Sequence, residues 1–325
     1  RARRSAEPDQ ASEAPLKQRL ALVAGLGLVP WLWFLVRDLS VVMEVVAIFL
    51  PPLVLLGVVA LVVAMAVLRQ PWLLVAAGSW TLFAVVAVFL PWVPHPTGHV
   101  RGGRGVTIAV ANVLADNPTK EEAAADVAAI GADVVVVPED SRRIHDALMR
   151  TYAYGHRYRF ASSWLGVYSN LPVTESTGTP VFDPARYLRL EVGGPTPFVL
   201  WALHPPRPWL TANGSFQMRP GGHARVLSRF LDAIAQETEP VVVAGDLNLT
   251  DRGRGYRKFT AHLDDAMRSI RGSRTEIKRL YRPLLLNIDH ILEPPDWCAD
   301  HARRFRIRGS DHRGITARVG PCAPG

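Results

Sequence analysis

Six short strings place polar side chains at or beside the ends of apolar segments. They are Ala111-Asn112, Val137-Pro138-Glu139, Leu203-His204, Gly245-Asp246-Leu247-Asn248, Ile288-Asp289-His290 and Gly309-Ser310-Asp311-His312. Strand ends are where a sheet displays groups that act on a ligand. Any one string alone reads as a turn or a cap. Together they supply six carboxylate or amide side chains and three imidazoles, with neither cysteine nor lysine among them. Oxygen donors of this kind suit a hard cation such as Mg2+ or Mn2+ rather than zinc. A hard cation with carboxylates and histidine is a workable set for hydrolysing a phosphoric ester. The cation offsets phosphate charge, a carboxylate positions water, and an imidazolium meets the negative charge that develops.

The elements that must position these groups are short and interleaved. Residues 106–110 and 133–137 read as strands, the second a buried valine run, and 141–150 as a helix. Thr119 and Glu122 have the spacing of a capping box, which predicts a helix to about Ile130. Residues 186–192 alternate as a half-buried strand, and 197–203 and 241–244 are apolar strands, with another around Ile288. Residues 222–236 carry Val226, Leu227, Phe230, Leu231 and Ile234 on one helical face. Residues 106–325 therefore predict one α/β (α+β) domain.

The ordered strings resemble the endonuclease/exonuclease/phosphatase superfamily, which includes DNase I-like nucleases, neutral sphingomyelinases and inositol phosphatases. The resemblance runs from Asn112 through Glu139, Gly166-Val167-Tyr168-Ser169-Asn170-Leu171-Pro172, His204, Gly245-Asp246-Leu247-Asn248 and Asp289 to Ser310-Asp311-His312. It implies a four-layer α/β/β/α sandwich. It also implies that Glu139 is the principal metal ligand, assisted by Asn112, with Asp311 joining the metal site. Asp246 then orients or deprotonates the attacking water, and Asn248 donates to the phosphoryl oxygens. His312 stabilises the pentacovalent phosphorus with Asp289 fixing its tautomer, and His204 is a second phosphate-contacting histidine. The implied cofactor is Mg2+ or Mn2+. Pro138 stands where the family often has Gln.

The first 95 residues differ in kind. A polar tail, 1–19, holds Arg1, Arg3, Arg4, Lys17 and Arg19. Three apolar runs follow, at about 20–36, 45–67 and 72–93, and each approaches the ~20 residues that span a bilayer. They predict three transmembrane helices, with Pro51-Pro52 kinking the second or marking a re-entrant bend. The basic tail predicts a cytoplasmic N-terminus, so three spans place the domain at 106–325 outside a cell membrane crossed several times. Residues 94–105, rich in Gly and Pro, read as a linker.

Three spans joined to such a hydrolase domain look like the VanJ-type teicoplanin-resistance proteins of actinomycetes. That likeness implies a cell-envelope lipid pyrophosphate as substrate, such as undecaprenyl pyrophosphate, and a role in glycopeptide resistance. The expected partners are the bilayer and a phosphorylated lipid, with no nucleic acid. The competing reading is an extracellular tethered Mg2+-dependent nuclease or other phosphodiesterase, which the +8 net charge favours. A non-enzymatic binding module would not require Glu139, Asp246, Asn248, Asp289 and His312 together.

The remaining residues divide more simply. The stretch 205–220 either packs on the core or offers Trp209 and Phe216 to a lipid. Cys298 and Cys322 bracket the Ser310-Asp311-His312 string; outside the membrane they can pair, or they stand as two thiols. Asp264-Asp265 reads as a helix or loop charge pair, not a second site. His145 and His223 have no motif around them and read as surface or structural, while His290 is intermediate because it follows Asp289.

Overall fold

The computed structural model describes residues 10–95, 98–151, 156–159, 165–175, 187–208, 221–270 and 274–324. Trp209 and Phe216 lie outside them.

Two six-stranded mixed sheets stack face to face. The first sheet has the order β11-β12-β1-β2-β4-β3, the second β5-β6-β7-β8-β10-β9. In the first, β1 (Val106–Val110) lies parallel to β2 (Val134–Pro138) and antiparallel to β12 (Arg313–Pro321). β11 (Trp297–Arg306) forms one edge; β4 (Leu165–Ser169) and β3 (His156–Arg159) lie on the other side. In the second, β7 (Phe198–Leu203) and β8 (Val241–Asp246) are parallel, and β10 (Asp289–Glu293) runs antiparallel to β8. β6 (Tyr187–Val192), β5 (Val173–Glu175) and β9 (Asp264–Asp265) complete it.

Alternation along the strands makes three apolar layers. Ile108, Val110, Val136, Leu190, Leu200 and Val242 fill the space between the sheets. Ala109, Val135 and Val137 point the other way, under α5 (Lys120–Ala128) and α6 (Arg142–Thr151). Trp201, Val243 and Leu292 do the same under α7 (Gly221–Ile234) and α8 (Arg254–Phe259). The result is an α/β/β/α sandwich. Thr119 occupies the N-cap of α5 but makes no capping hydrogen bond; its hydroxyl donates to Asn117 Oδ1 (3.2 Å) instead.

The N-terminal helices are α1 (Gln10–Leu28), continued through a 3-10 turn to α2 (Trp33–Val36), then α3 (Val42–Leu68) and α4 (Leu73–Ala84). Among the described residues, two helical stretches are long and apolar enough to cross a membrane, Lys17–Val36 and Val42–Leu68. The second is one continuous helix of 27 residues with Pro51-Pro52 inside it, so no re-entrant bend forms there. The third expected span, 72–93, is shorter: an apolar helix over Leu73–Phe89, with a π turn at Val85–Phe89 and a 3-10 turn at Leu90–Trp92. Pro71 and Pro91 bracket it, and proline cannot continue a helical hydrogen-bond ladder. At 1.5 Å per residue the helix is about 25 Å long, below the ~30 Å of a hydrocarbon core.

These helices form their own small core of Trp33, Leu50, Val54, Phe83 and Val88. Gly57 is required there, since a Cβ would fall 2.0 Å from the Trp80 ring. The stretch read as a linker is tied to the domain: His95 N–H donates to Arg268 O (2.8 Å) and Arg101 N–H to Pro321 O (2.8 Å). Cys298 and Cys322 are disulfide-bonded, joining β11 to the residue after β12.

Candidate active site

The topology gathers the strand-end residues at one end of the sandwich. Asn112 and Glu139 follow the C-terminal ends of the parallel strands β1 and β2, and His312 precedes β12. From the second sheet, His204 follows β7, Asp246 ends β8, and Asp289 begins β10 directly opposite Asp246. Three residues that shape this end sit in unusual backbone. Glu139 (φ 60°) and Asn248 (φ 50°) are left-handed without being glycine, a strain found where a site over-determines its residues. Gly245 has φ 150°, and a Cβ on it would lie 1.9 Å from the Leu203 carbonyl oxygen. Only glycine allows β7 and β8 to approach at the point that carries Asp246.

A hydrogen-bond network fixes the side chains. Asn112 Nδ2 donates to Asp246 Oδ2 (3.0 Å) and Glu139 Oε1 (3.3 Å), while its Oδ1 accepts from Leu114 N–H (3.1 Å). Asn112 thus turns its nitrogen, not its oxygen, toward the two carboxylates and orients them. Glu139 Oε2 accepts from Ala115 N–H (3.0 Å). Asp246 Oδ1 accepts from Asn248 N–H (3.0 Å), and Asn248 Nδ2 donates to Pro205 O (3.0 Å). His312 Nδ1 meets Asp289 Oδ2 at 2.8 Å. His312 Nε2 lies 3.9 Å from Asp246 Oδ2, and His204 Nε2 lies 3.8 Å from the same oxygen. Asp311 stands beside this group, its backbone oxygen accepting from Ile277 N–H (2.7 Å).

The electrostatics separate the carboxylates. Burial raises the Asp246 pKa, and the facing Asp289 raises it further, against the partial pull of His312 and His204. Burial also pushes Glu139 up, but the Ala115 N–H, His204, the Asn112 amide and His312 outweigh it and leave Glu139 below its ordinary value. Burial pulls His312 down, yet Asp289, Asp246 and Glu276 overcome it and lift its pKa to about 10. His312 is therefore an imidazolium at neutral pH.

Two further residues belong to this end. Glu276 is buried, its backbone bridges to His312, and its Oε2 lies 3.6 Å from His312 Nε2. Nothing in the sequence around Thr275-Glu276 marks it. Arg207, three residues after His204, feels burial first, and then the charges of Asp246, Glu276, Glu139 and Asp311, which hold its guanidinium firmly charged. An arginine that close to His204 was a signal open to reading. His290 and Asp265 form a separate buried pair instead, His290 Nδ1 to Asp265 Oδ2 at 3.1 Å, with Tyr256 Oη also donating to that oxygen (2.8 Å). Asp265 is thus a buried core residue at the short strand β9, while Asp264 beside it is exposed.

The donor set fits a hard divalent cation. Asp246, Asp289 and His312 each offer a ligand atom within 4.8 Å of the others. An imidazolium has no lone pair to give, so the oxygens are the stronger candidates. Asp289 Oδ1 and Asp311 Oδ1 are buried without a hydrogen-bond partner among the described residues, which a cation would remedy.

Residues 109–312 match the Endonuclease/Exonuclease/phosphatase family. Among solved structures, humanized D. rerio TDP2 carrying 14 mutations is similar at 18% identity and TM-score 0.52, over 66% of this chain and 99% of that one. A conserved protein of unknown function from Enterococcus faecalis V583 matches at 14% identity and TM-score 0.50, over 66% and 100%. Sphingomyelinase C from Streptomyces griseocarneus matches at 17% identity and TM-score 0.47, over 66% and 99%. No curated protein matches the sequence. The family match spans well over half of the chain and takes in both ends of the strand-end cluster, and on that ground the chain belongs to the endonuclease/exonuclease/phosphatase family, whose members hydrolyse phosphoric esters.

Proposed function

We propose that this chain is a membrane-embedded, outward-facing phosphohydrolase, dependent on Mg2+ or Mn2+, that acts on a phosphorylated envelope lipid. Undecaprenyl pyrophosphate is the substrate we favour, with a role in teicoplanin resistance, as the likeness to VanJ-type proteins suggests. The observation that carries the reading is where the apolar helices dock. α3 packs on the loop that follows Asp246 and on the segment that leads into Asp289. Gly255 N–H donates to Glu44 Oε2 (3.0 Å), and Ile48 packs with Leu284, Leu286 and Ile288. Helices with exposed leucine and valine along their outer faces thus stand beside the site, which would hold it at a lipid surface.

The residues divide the chemistry as follows. Asp246, with its raised pKa, accepts a proton from water, since a base poised nearer neutrality transfers protons more effectively. His312 faces the phosphoryl oxygens as a fixed cation, held by Asp289. Asn248 keeps one amide hydrogen for a phosphoryl oxygen after donating the other to Pro205 O. Glu139, Asp311 and Asp289 would hold the divalent cation, which when bound offsets phosphate charge.

The test is phosphate release from undecaprenyl pyrophosphate in detergent by the full-length protein, with Mg2+, with EDTA and with Asp246→Ala, beside plasmid nicking. Metal-dependent release without nicking is expected. Nicking without release would make the protein a tethered nuclease and remove the lipid reading.

A further inference from the structure

Outside residues 20–93, the described residues expose one large apolar side chain, Leu280, at 74% of its surface. It stands in the 3-10 segment Arg279–Leu284, beside exposed Lys278, Arg279 and Arg282. The segment is held in place from behind. Tyr281 and Leu284 pack with Ile48 and Phe49 of α3. The buried Arg252 donates from Nη2 to Leu284 O (2.9 Å) and from Nη1 to Leu285 O (3.3 Å), while its Nε reaches Ala47 O of α3 (3.3 Å). Leu280 is therefore presented outward by a turn clamped to the apolar helix.

The depth is right for a bilayer surface. Leu53, 49% exposed, is the first outward-facing large apolar residue of α3. It lies about 6 Å along the helix axis beyond Phe49, which the segment touches. Cations flanking a leucine and a tyrosine at that level match the headgroup layer, where basic side chains meet anionic lipid and apolar ones dip below it.

We propose that residues 278–282 form an interfacial foot, with Leu280 entering the headgroup layer of the bilayer that holds α3 and Lys278, Arg279 and Arg282 binding anionic headgroups. The proposal rests on the membrane reading above. It places the site's mouth on the lipid surface, because the foot adjoins the site directly. Glu276 accepts from Lys278 N–H (2.8 Å) with one carboxylate oxygen and faces His312 with the other. A lipid phosphate would then reach His312 without leaving the headgroup plane.

The experiment uses full-length protein in phosphatidylcholine vesicles with and without phosphatidylglycerol. A fluorophore is placed on Leu280→Cys, on Val63→Cys in the exposed face of α3, or on Glu239→Cys at the opposite end of β8. Lipids spin-labelled near the headgroup, for 280 and 239, and at mid-chain, for 63, are then added, since Val63 lies about 15 Å deeper than Leu53. Loss of fluorescence at 280 and 63, but not at 239, is the expected result. In vesicles with phosphatidylglycerol, Arg279→Glu with Arg282→Glu reduces the loss at 280 and leaves that at 63. An unquenched label at 280 beside a quenched one at 63 overturns the foot and spares the membrane reading. Absence of quenching at 63 removes both.

Discussion

Asp246 and Asp289 face each other across the β8–β10 register, both buried, and two like charges so placed cannot be equivalent. Burial, and then the facing Asp289, raise the Asp246 pKa, which suits Asp246 to the base role proposed above. Asp246→Asn is expected to lower kcat by about 10²–10⁴-fold, the range that general-base groups supply, while the melting temperature holds. A variant within a few-fold of the parent would take Asp246 out of the mechanism. His223 makes a different prediction. Its Nδ1 donates to Pro206 O (2.6 Å), beside the residues that carry His204 and Arg207, and burial lowers its pKa to about 4. Between pH 6.5 and about 4 the unfolded chain binds a proton there that the folded chain refuses. Its contribution is thus complete above pH 6.5 and declines as pH falls toward 4, by about 3 kcal/mol in all. Unfolding of His223→Gln, followed from pH 7.5 to 4.5, should show a flatter acid limb than the parent. Legibility at this scale followed strand ends. Asn112, Glu139, Asp246 and His312 announced themselves by interrupting or closing apolar runs. Glu276 did not, because it reaches His312 from an irregular segment whose course depends on tertiary contacts.

The elements show the same divide between local and distant causes. β1, β2, β7 and β8 were readable because continuous apolar runs bounded by turn residues leave few alternatives for a buried strand. β11 was only half readable, since Arg303, Arg304 and Arg306 on this sheet edge read equally well as a solvated or a strand-alternating set. Nor could the sequence show that Arg252, in the loop between Asn248 and α8, would be buried against α3. That guanidinium holds carbonyls of Ala47, Leu284 and Leu285 from three directions. Arg252→Met leaves these acceptors without a donor and is expected to cost about 3 kcal/mol or more, read as a lower melting temperature. Arg252→Lys should recover little, because an ammonium cannot span the three positions. Unchanged melting in Arg252→Met would mean that α3 and the catalytic loop are held elsewhere. The disulfide acts on another part of the fold. Cys298 and Cys322 are 24 residues apart, and opening a loop of that size should lower stability by about 3 kcal/mol. Since the bond lies away from the strand ends that carry Asp246 and His312, Cys298→Ala with Cys322→Ala should keep kcat at temperatures where the fold persists.

At the scale of the whole molecule, the directions of the helices fix which loops share a side. Arg257 Nη2 meets Asp38 Oδ1 at 2.7 Å, and Glu44 binds the start of α8, so the loop between α2 and α3 lies against the catalytic domain. His95, after α4, is bound to Arg268 of that domain as well. The turn at Arg69-Gln70 is at the far end of α3, a helix of 27 residues and about 40 Å long. α1 leads through α2 to the loop before α3, so the start of α1, with Lys17 and Arg19, is on the far side with Arg69. On the membrane reading proposed above, Lys17, Arg19 and Arg69 vote together for a cytoplasmic far side. The short α4 does not weaken this, because both of its ends are assigned by what they touch: Gln70 beside the far end of α3, His95 on the domain. A reporter active only outside the cytoplasm, fused after Gly325, should be active, and one inserted between Arg69 and Gln70 should be silent. A cytoplasmic reporter should give the opposite pair. Activity at both positions would mean that α3 lies along the domain rather than across a bilayer, and the interfacial foot would fall with it.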